Sequence, residues 1–267
     1  MDFQEKPRYG FDDLMEIVQI LRAPGGCPWD RAQTHQSIRK NFIEETYEAI
    51  EAIDTEDTAL LREELGDVLL QVALHSEMER EAGTFDMSDV CDELCKKLII
   101  RHPHVFGDKS AENEQQALQN WDAVKMQTKQ QKTQTEAMQS VSRALPSLMR
   151  SEKVQHKAAK VGFDWKAVDG ALEKIKEECH ELKVAVDHGS IEQQEEELGD
   201  LLFSVVNVSR FLKIDSEKAL DKACDKFIQR FSMVESLAVE RGIDMKNAQL
   251  SQLDSLWEEV KIKIKDN

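Results

Sequence analysis

The sequence predicts an all-α fold built twice in tandem. Three observations carry this reading. Of the 267 residues, 40% are apolar and only 6% aromatic, with just 11 Gly and 5 Pro, a profile that suits long helices rather than many strands and turns. Apolar residues recur at helical spacing through most of the chain. The stretch 177–200, EECHELKVAVDHGSIEQQEEELGD, is echoed at 44–67 as EETYEAIEAIDTEDTALLREELGD. Each stretch carries two carboxylate pairs three residues apart, Glu45/Glu48 with Glu64/Asp67 and Glu178/Glu181 with Glu197/Asp200, all related by one offset of 133 residues. The length then reads as two duplicated helical bundles. Their expected bounds are 1–126 and 137–267, joined at the polar linker 127–136, QTKQQKTQTE, which offers nothing apolar to bury.

In chain order, Phe11, Leu14, Met15, Val18 and Leu21 share a face of a helix over 11–22, with Asp12 and Asp13 at its positive end. Ala23–Gly26 breaks it. A polar and aromatic loop, with Cys27–Asp30 and Gln33–His35, leads into a helix over about 37–53 that bears Glu44, Glu45 and Glu48. The next helix, about 57–82, has Leu61, Leu65, Val68, Leu69 and Val72 as its expected buried stripe, flanked by Glu64 and Asp67, and Gly83 ends it. Helices over about 88–101 and 111–130 follow, the second with Trp121 and Lys125 on one face. The second half opens with a helix to about Lys160 that starts or is interrupted at Pro146, turns at Val161–Trp165, and then copies the first. Its helices run over 168–187 and 191–212, the latter with Leu198, Leu201, Leu202, Val205 and Val208 as the apolar side. Lys226 and Arg230 then fall on a third helix, and Trp257 and Lys261 on the last.

The formal charge of −17, from 52 acids and 35 bases, argues against a protein that coats nucleic acid, which needs a basic surface to displace counterions. Five cysteines without a CxxC pair suit reduced thiols better than a disulfide framework or structural zinc. No segment is apolar for long enough to cross a bilayer, and MDFQEKPRYG leads into an amphipathic stretch, so a cytoplasmic protein with no membrane partner is expected.

Carboxylates three apart share a helical face, and a short connection makes the two helices antiparallel neighbours, so four acids converge in each half. Such pairs repel by a few tenths of a kcal/mol each unless a cation offsets them. For one pair, a solvated acidic face is the plainer reading. Two pairs in both halves favour a metal, and hard oxygen donors suit Mg²⁺, with Mn²⁺ as a substitute. A di-iron bundle would use Glu-x-x-His, whereas the partners here are Glu48, Asp67, Glu181 and Asp200. Lys226 and Arg230, one turn apart, and Lys174, four residues before Glu178, would suit phosphate oxygens that also chelate the metal. Trp257 offers a stacking face for a base, or else belongs to the core. Together these features read as a site for a nucleotide polyphosphate. A helical protein that binds a cation only to hold subunits or partners together is the alternative.

The motifs GCPWDRAQTH, FIEETYE, LREELGD and GFDW, with ExxE followed by ExxD standing twice, cover nearly the whole chain. It resembles the MazG family of all-α nucleoside triphosphate pyrophosphohydrolases in tandem two-domain form. The resemblance implies Mg²⁺-dependent cleavage of (d)NTPs between the α and β phosphates with broad base tolerance, in a homodimer. It makes Glu178, Glu181, Glu197 and Asp200 metal ligands. Lys174, Lys226, Arg230 and Trp257 fall on nucleotide-contacting positions, and Lys125 on a functionally important lysine of the first half. Glu177, beside the ligands, is then the candidate general base. The second half is the expected catalytic one. Asn207, seven residues after Asp200, returns to the ligand face and is a candidate contact to sugar or base, where the first half has Leu74. The set Glu45, Glu48, Glu64 and Asp67 is the corresponding second site of the first half, expected to bind metal and to hydrolyse slowly or serve dimerisation.

Overall fold

A computed structural model describes residues 3–114, 116, 117, 120, 121, 124 and 133–265, with side chains described to residue 263. Every regular element among these residues is a helix. None of the helices among them is long and apolar enough to cross a membrane. The chain divides into two compact units, Met1–Lys125 and Met126–Asn267.

In the first unit the helices are α1 (Phe11–Arg22), α2 (Pro28–Ala32), α3 (Arg39–Asp54), α4 (Thr58–Ala82), α5 (Met87–Arg101) and α6 (Pro103–Phe106). Helix α3 starts two residues later than its periodicity predicts. The Ser37 hydroxyl instead closes a turn, donating to Gln33 Oε1 and accepting from the Thr34 amide at 2.9 Å. Asp57 caps α4, accepting from the amides of Ala59 and Leu60 at 3.0 Å, and Gly83 ends it at φ 73°. The left-handed backbone there favours glycine. Helices α3 and α4 form an antiparallel hairpin, while α1 and α5 pack on α4. The core joins Val18, Ile38, Ala73, Leu74, Met78 and Met87.

That core corrects the predicted stripe of α4. Leu65 and Leu69 are exposed, at 54% and 37%, and the buried positions cluster from Glu64 to Met78 with most of them after Gln71. The reason is that the core residues contributed by α1 and α5 meet α4 along its second half.

The loop between α1 and α3 is tied down by Arg22. Its guanidinium forms a two-bond pair with Glu81 on α4, at 2.9 and 2.8 Å, and donates to the backbone carbonyls of Asp30 and Gln33. Gly26 is required by close approach, because a Cβ there would lie 2.2 Å from the Ile20 carbonyl oxygen.

The second unit contains α7 (Gln134–Gln139), α8 (Ser147–Ala159), α9 (Val168–His188), α10 (Ile191–Leu212), α11 (Ser216–Glu240) and α12 (Leu250–Lys265). The last residues of the stretch expected to be a linker are helical, since Thr133 caps α7, which begins at Gln134. Helices α9 and α10 form the counterpart hairpin, α10 and α11 each pack on α8, and α11 pairs with α12. A core cluster of Val234, Leu237, Ala238, Leu256 and Val260 lies between α11 and α12. As in the first unit, several positions expected to be buried are open: Leu198, Leu202 and Val205 on α10 are exposed. Helix α9 packs chiefly on α10, so the hairpin's remaining apolar surface has no described cover within the unit.

Candidate active site

Residue Glu178 lies in the middle of α9, and Glu197 and Asp200 in the first half of α10. One carboxylate oxygen from each lies within 4.8 Å of the other two. Glu178 is buried, Glu197 half-buried and Asp200 exposed, so the cluster runs from the hairpin interior outward. Burial first, and then the charges of Glu181, Glu178, Glu196 and Asp200, push the Glu197 carboxyl above its ordinary range. Glu181 thus feels the cluster electrostatically without joining the close set of three.

Lys174, one turn before Glu178, donates to Glu177 at 2.8 Å and pairs with Glu178 Oε1 at 2.5 Å. These bonds to Glu177 and then Glu178 raise its pKa. The other oxygen of Glu178, Oε2, is buried with no hydrogen-bond partner. An ionised, dehydrated oxygen without a donor is costly. A divalent cation among three hard oxygen donors would satisfy it, so this donor set fits Mg²⁺ or Mn²⁺.

In the first unit the close set is Glu45, Glu48 and Glu64. Burial raises the Glu45 carboxyl, followed by repulsion from Asp67, Glu48 and Glu64, and burial also leads for Glu64. Asp67 contributes charge but not one of the three close oxygens. The position matching Lys174 is Asn41, so no ammonium stands beside these acids in the same way.

The remaining candidates are more dispersed. Lys226 is exposed on α11, and Arg230, one turn on, holds a buried Nε that lacks a partner. Trp257 packs on Phe227, with ring centroids 5.1 Å apart, and against the α11–α12 core. No described hydrogen bond or ion pair joins these three to the carboxylates. Asn207 is buried, and its side-chain oxygen accepts from Arg210 Nε and Nη2 at 3.0 and 2.8 Å. Arg210 also pairs with Asp164 at 2.6 Å, which fastens the GFDW turn to α10. Trp165 of that turn packs so closely on Gly170 that a Cβ there would lie 2.3 Å from Trp165 Cδ1. Lys125 lies outside the described residues.

The Arg210 bridge was not read from the sequence. Its one available signal was a lone Asn at a position where the first half has the buried core residue Leu74.

The model of the MazG nucleotide pyrophosphohydrolase domain matches twice, over residues 33–106 and 168–234. Each match contains one carboxylate hairpin. The chain belongs to the MazG nucleotide pyrophosphohydrolase family. It is therefore an enzyme of the class that hydrolyses phosphoanhydride bonds. It is 45% identical over 251 residues to the nucleoside triphosphate pyrophosphohydrolase/pyrophosphatase MazG of Thermotoga maritima, covering 94% of this chain and 95% of that one. It is 43% identical over 253 residues to the nucleoside triphosphate pyrophosphohydrolase of Escherichia coli, covering 94% and 96%. The uncharacterized protein YabN of Bacillus subtilis matches at 44% over 252 residues, 94% of this chain but 51% of its own length. The second MazG match includes Lys174, Lys226 and Arg230, whereas Trp257 and Lys125 fall outside both matches.

Proposed function

We propose that the protein is a Mg²⁺-dependent nucleoside triphosphate pyrophosphohydrolase that cleaves (d)NTPs between the α and β phosphates with broad base tolerance, and that the second unit is the working one. The observation that carries this reading is the unpartnered buried oxygen of Glu178, inside a three-carboxylate cluster and next to Lys174. Glu178, Glu197 and Asp200, with Glu181 alongside, would hold the cation. Bound there, Mg²⁺ would supply Lewis-acid polarisation of the phosphoryl oxygens. Lys174 places a fixed positive charge at the same spot, where it can turn from Glu178 toward a phosphate oxygen. Glu177 sits on the exposed side of Lys174, in reach of solvent, and would accept the proton of the attacking water. Lys226 and Arg230 would grip phosphates, and Trp257 and Asn207 are the proposed base or sugar contacts. One water is consumed, and a nucleoside monophosphate and pyrophosphate leave.

Stacking and phosphate contacts carry little base information, which supports broad tolerance. A homodimer is supported by the apolar surface that each hairpin leaves open, including Ile43, Tyr47 and Leu65 in one unit and Leu198, Leu202 and Val205 in the other. The protein would work in the cytoplasm.

Incubating the pure protein with each NTP and Mg²⁺ should release pyrophosphate and monophosphate. Orthophosphate as the first product, or cation-dependent assembly without turnover, would overturn the reading. Light scattering should give the mass of two chains; a single chain at micromolar concentration would contradict the dimer.

A further inference from the structure

The motif GCPWDRAQTH makes no described hydrogen bond or ion pair to either carboxylate set, yet the first unit holds its last residue, His35, in place. Arg22 pins the loop onto α4, and His35 then stands over His75. The two rings are parallel within 2°, with centroids 4.9 Å apart and Nδ1 atoms 2.6 Å apart. His35 Nε2 lies 2.8 Å from Glu79 Oε1, and Phe42 tilts onto His75 at 5.6 Å. These groups, with Arg39 and Phe85, line an open cavity of about 590 Å³. That size suits a nucleotide-sized ligand.

Two further observations give the ligand its chemistry. Helix α3 begins with no capping side chain and no acid in its first turn, and it carries Arg39 and Lys40 at its positive end. Both are exposed and neither makes an ion pair among the described residues. Cations at that end oppose the helix dipole, and an anion would reverse the penalty. The duplicated half supplies an internal control. At the offset of 133 residues, His35, Arg39, Phe42, His75 and Glu79 correspond to Val168, Leu172, Ile175, Val208 and Leu212. The hairpin fold therefore needs none of these five, and the first unit carries them for another purpose.

We propose that this cavity binds a nucleoside monophosphate. The base lies against His75, Phe42 and Phe85, its amino edge donates to Glu79, and the phosphate meets Arg39 at the start of α3. A triphosphate is disfavoured because the lining offers one guanidinium and no carboxylate cluster to hold a metal. The choice of monophosphate also rests on the proposed reaction, which would release that molecule. The first unit would then sense product.

Equilibrium dialysis of the full chain with labelled AMP or GMP, in EDTA to keep the carboxylate sites metal-free, reads the binding directly. Saturable binding is expected, weakened about tenfold or more by Arg39→Gln, through loss of a charge-assisted bond, and weakened also by Phe85→Ala. Glu197→Gln should leave it unchanged. Inorganic phosphate should compete poorly, and the nucleoside alone should bind more weakly. No binding at millimolar monophosphate, equal competition by phosphate, or loss in Glu197→Gln with retention in Arg39→Gln would each overturn the proposal. Pyrophosphate release with no Arg39-dependent binding removes this inference alone. Arg39-dependent binding with no pyrophosphate release removes the reading of the second unit and leaves the cavity.

Discussion

The two units carry the same carboxylate hairpin and differ in what surrounds it. Around Glu178 the sequence adds a lysine one turn earlier, and Lys174 pairs with both Glu177 and Glu178. Around Glu45 the matching residue is Asn41, and the acids face one another without that ammonium. The first unit instead invests in a histidine and arginine pocket that the second replaces with aliphatic residues. A duplicated scaffold thus separates features that both copies keep, the carboxylate hairpin among them, from features that serve one copy only.

The comparison is sharpened most by making the second site resemble the first. Lys174→Asn should lower kcat/KM by about tenfold to a hundredfold, measured as pyrophosphate release, because in the proposed site it removes the charged group that would meet the phosphates. Unchanged turnover would remove the lysine as the difference that matters.

A smaller effect concerns stability without metal. Burial and neighbouring acids raise the Glu197 carboxyl. A carboxyl raised in the folded state binds more protons folded than unfolded, so its contribution to stability falls as pH rises above its ordinary value of 4.5. Metal-free Glu197→Gln should therefore melt higher than the parent at pH 7. The gap should shrink as pH falls and close below 4.5, where Glu197 is protonated in both states. Differential scanning calorimetry in EDTA across this range checks the trend. A gap that widens on acidification would mean that the cluster is not repulsive.

Much of this was legible in the sequence. The helices, the duplication and the paired acids follow from periodicity and one repeated offset, and Gly83 stops α4 where its turn chemistry says it should. Burial was harder to read. Leu65, Leu198 and Leu202 are apolar at the right spacing, yet exposed, because periodicity marks a face and does not say which neighbour covers it. The site was read only in part for a related reason. Spacing placed four acids together, whereas the close set is three in each unit, since side-chain direction decides which oxygens converge. Long-range polar links such as Arg210 to Asp164 and His35 to His75 join residues dozens of positions apart, and no local pattern announces them.

The central claim is that the second hairpin performs the hydrolysis and the first does not. The most direct measurement is pyrophosphate release, with Mg²⁺ and a nucleoside triphosphate, by full-length Glu178→Ala and Glu45→Ala proteins side by side. Glu178→Ala should lose activity by at least about a hundredfold, and Glu45→Ala should keep most of it. Activity that survives Glu178→Ala and disappears in Glu45→Ala would contradict the account.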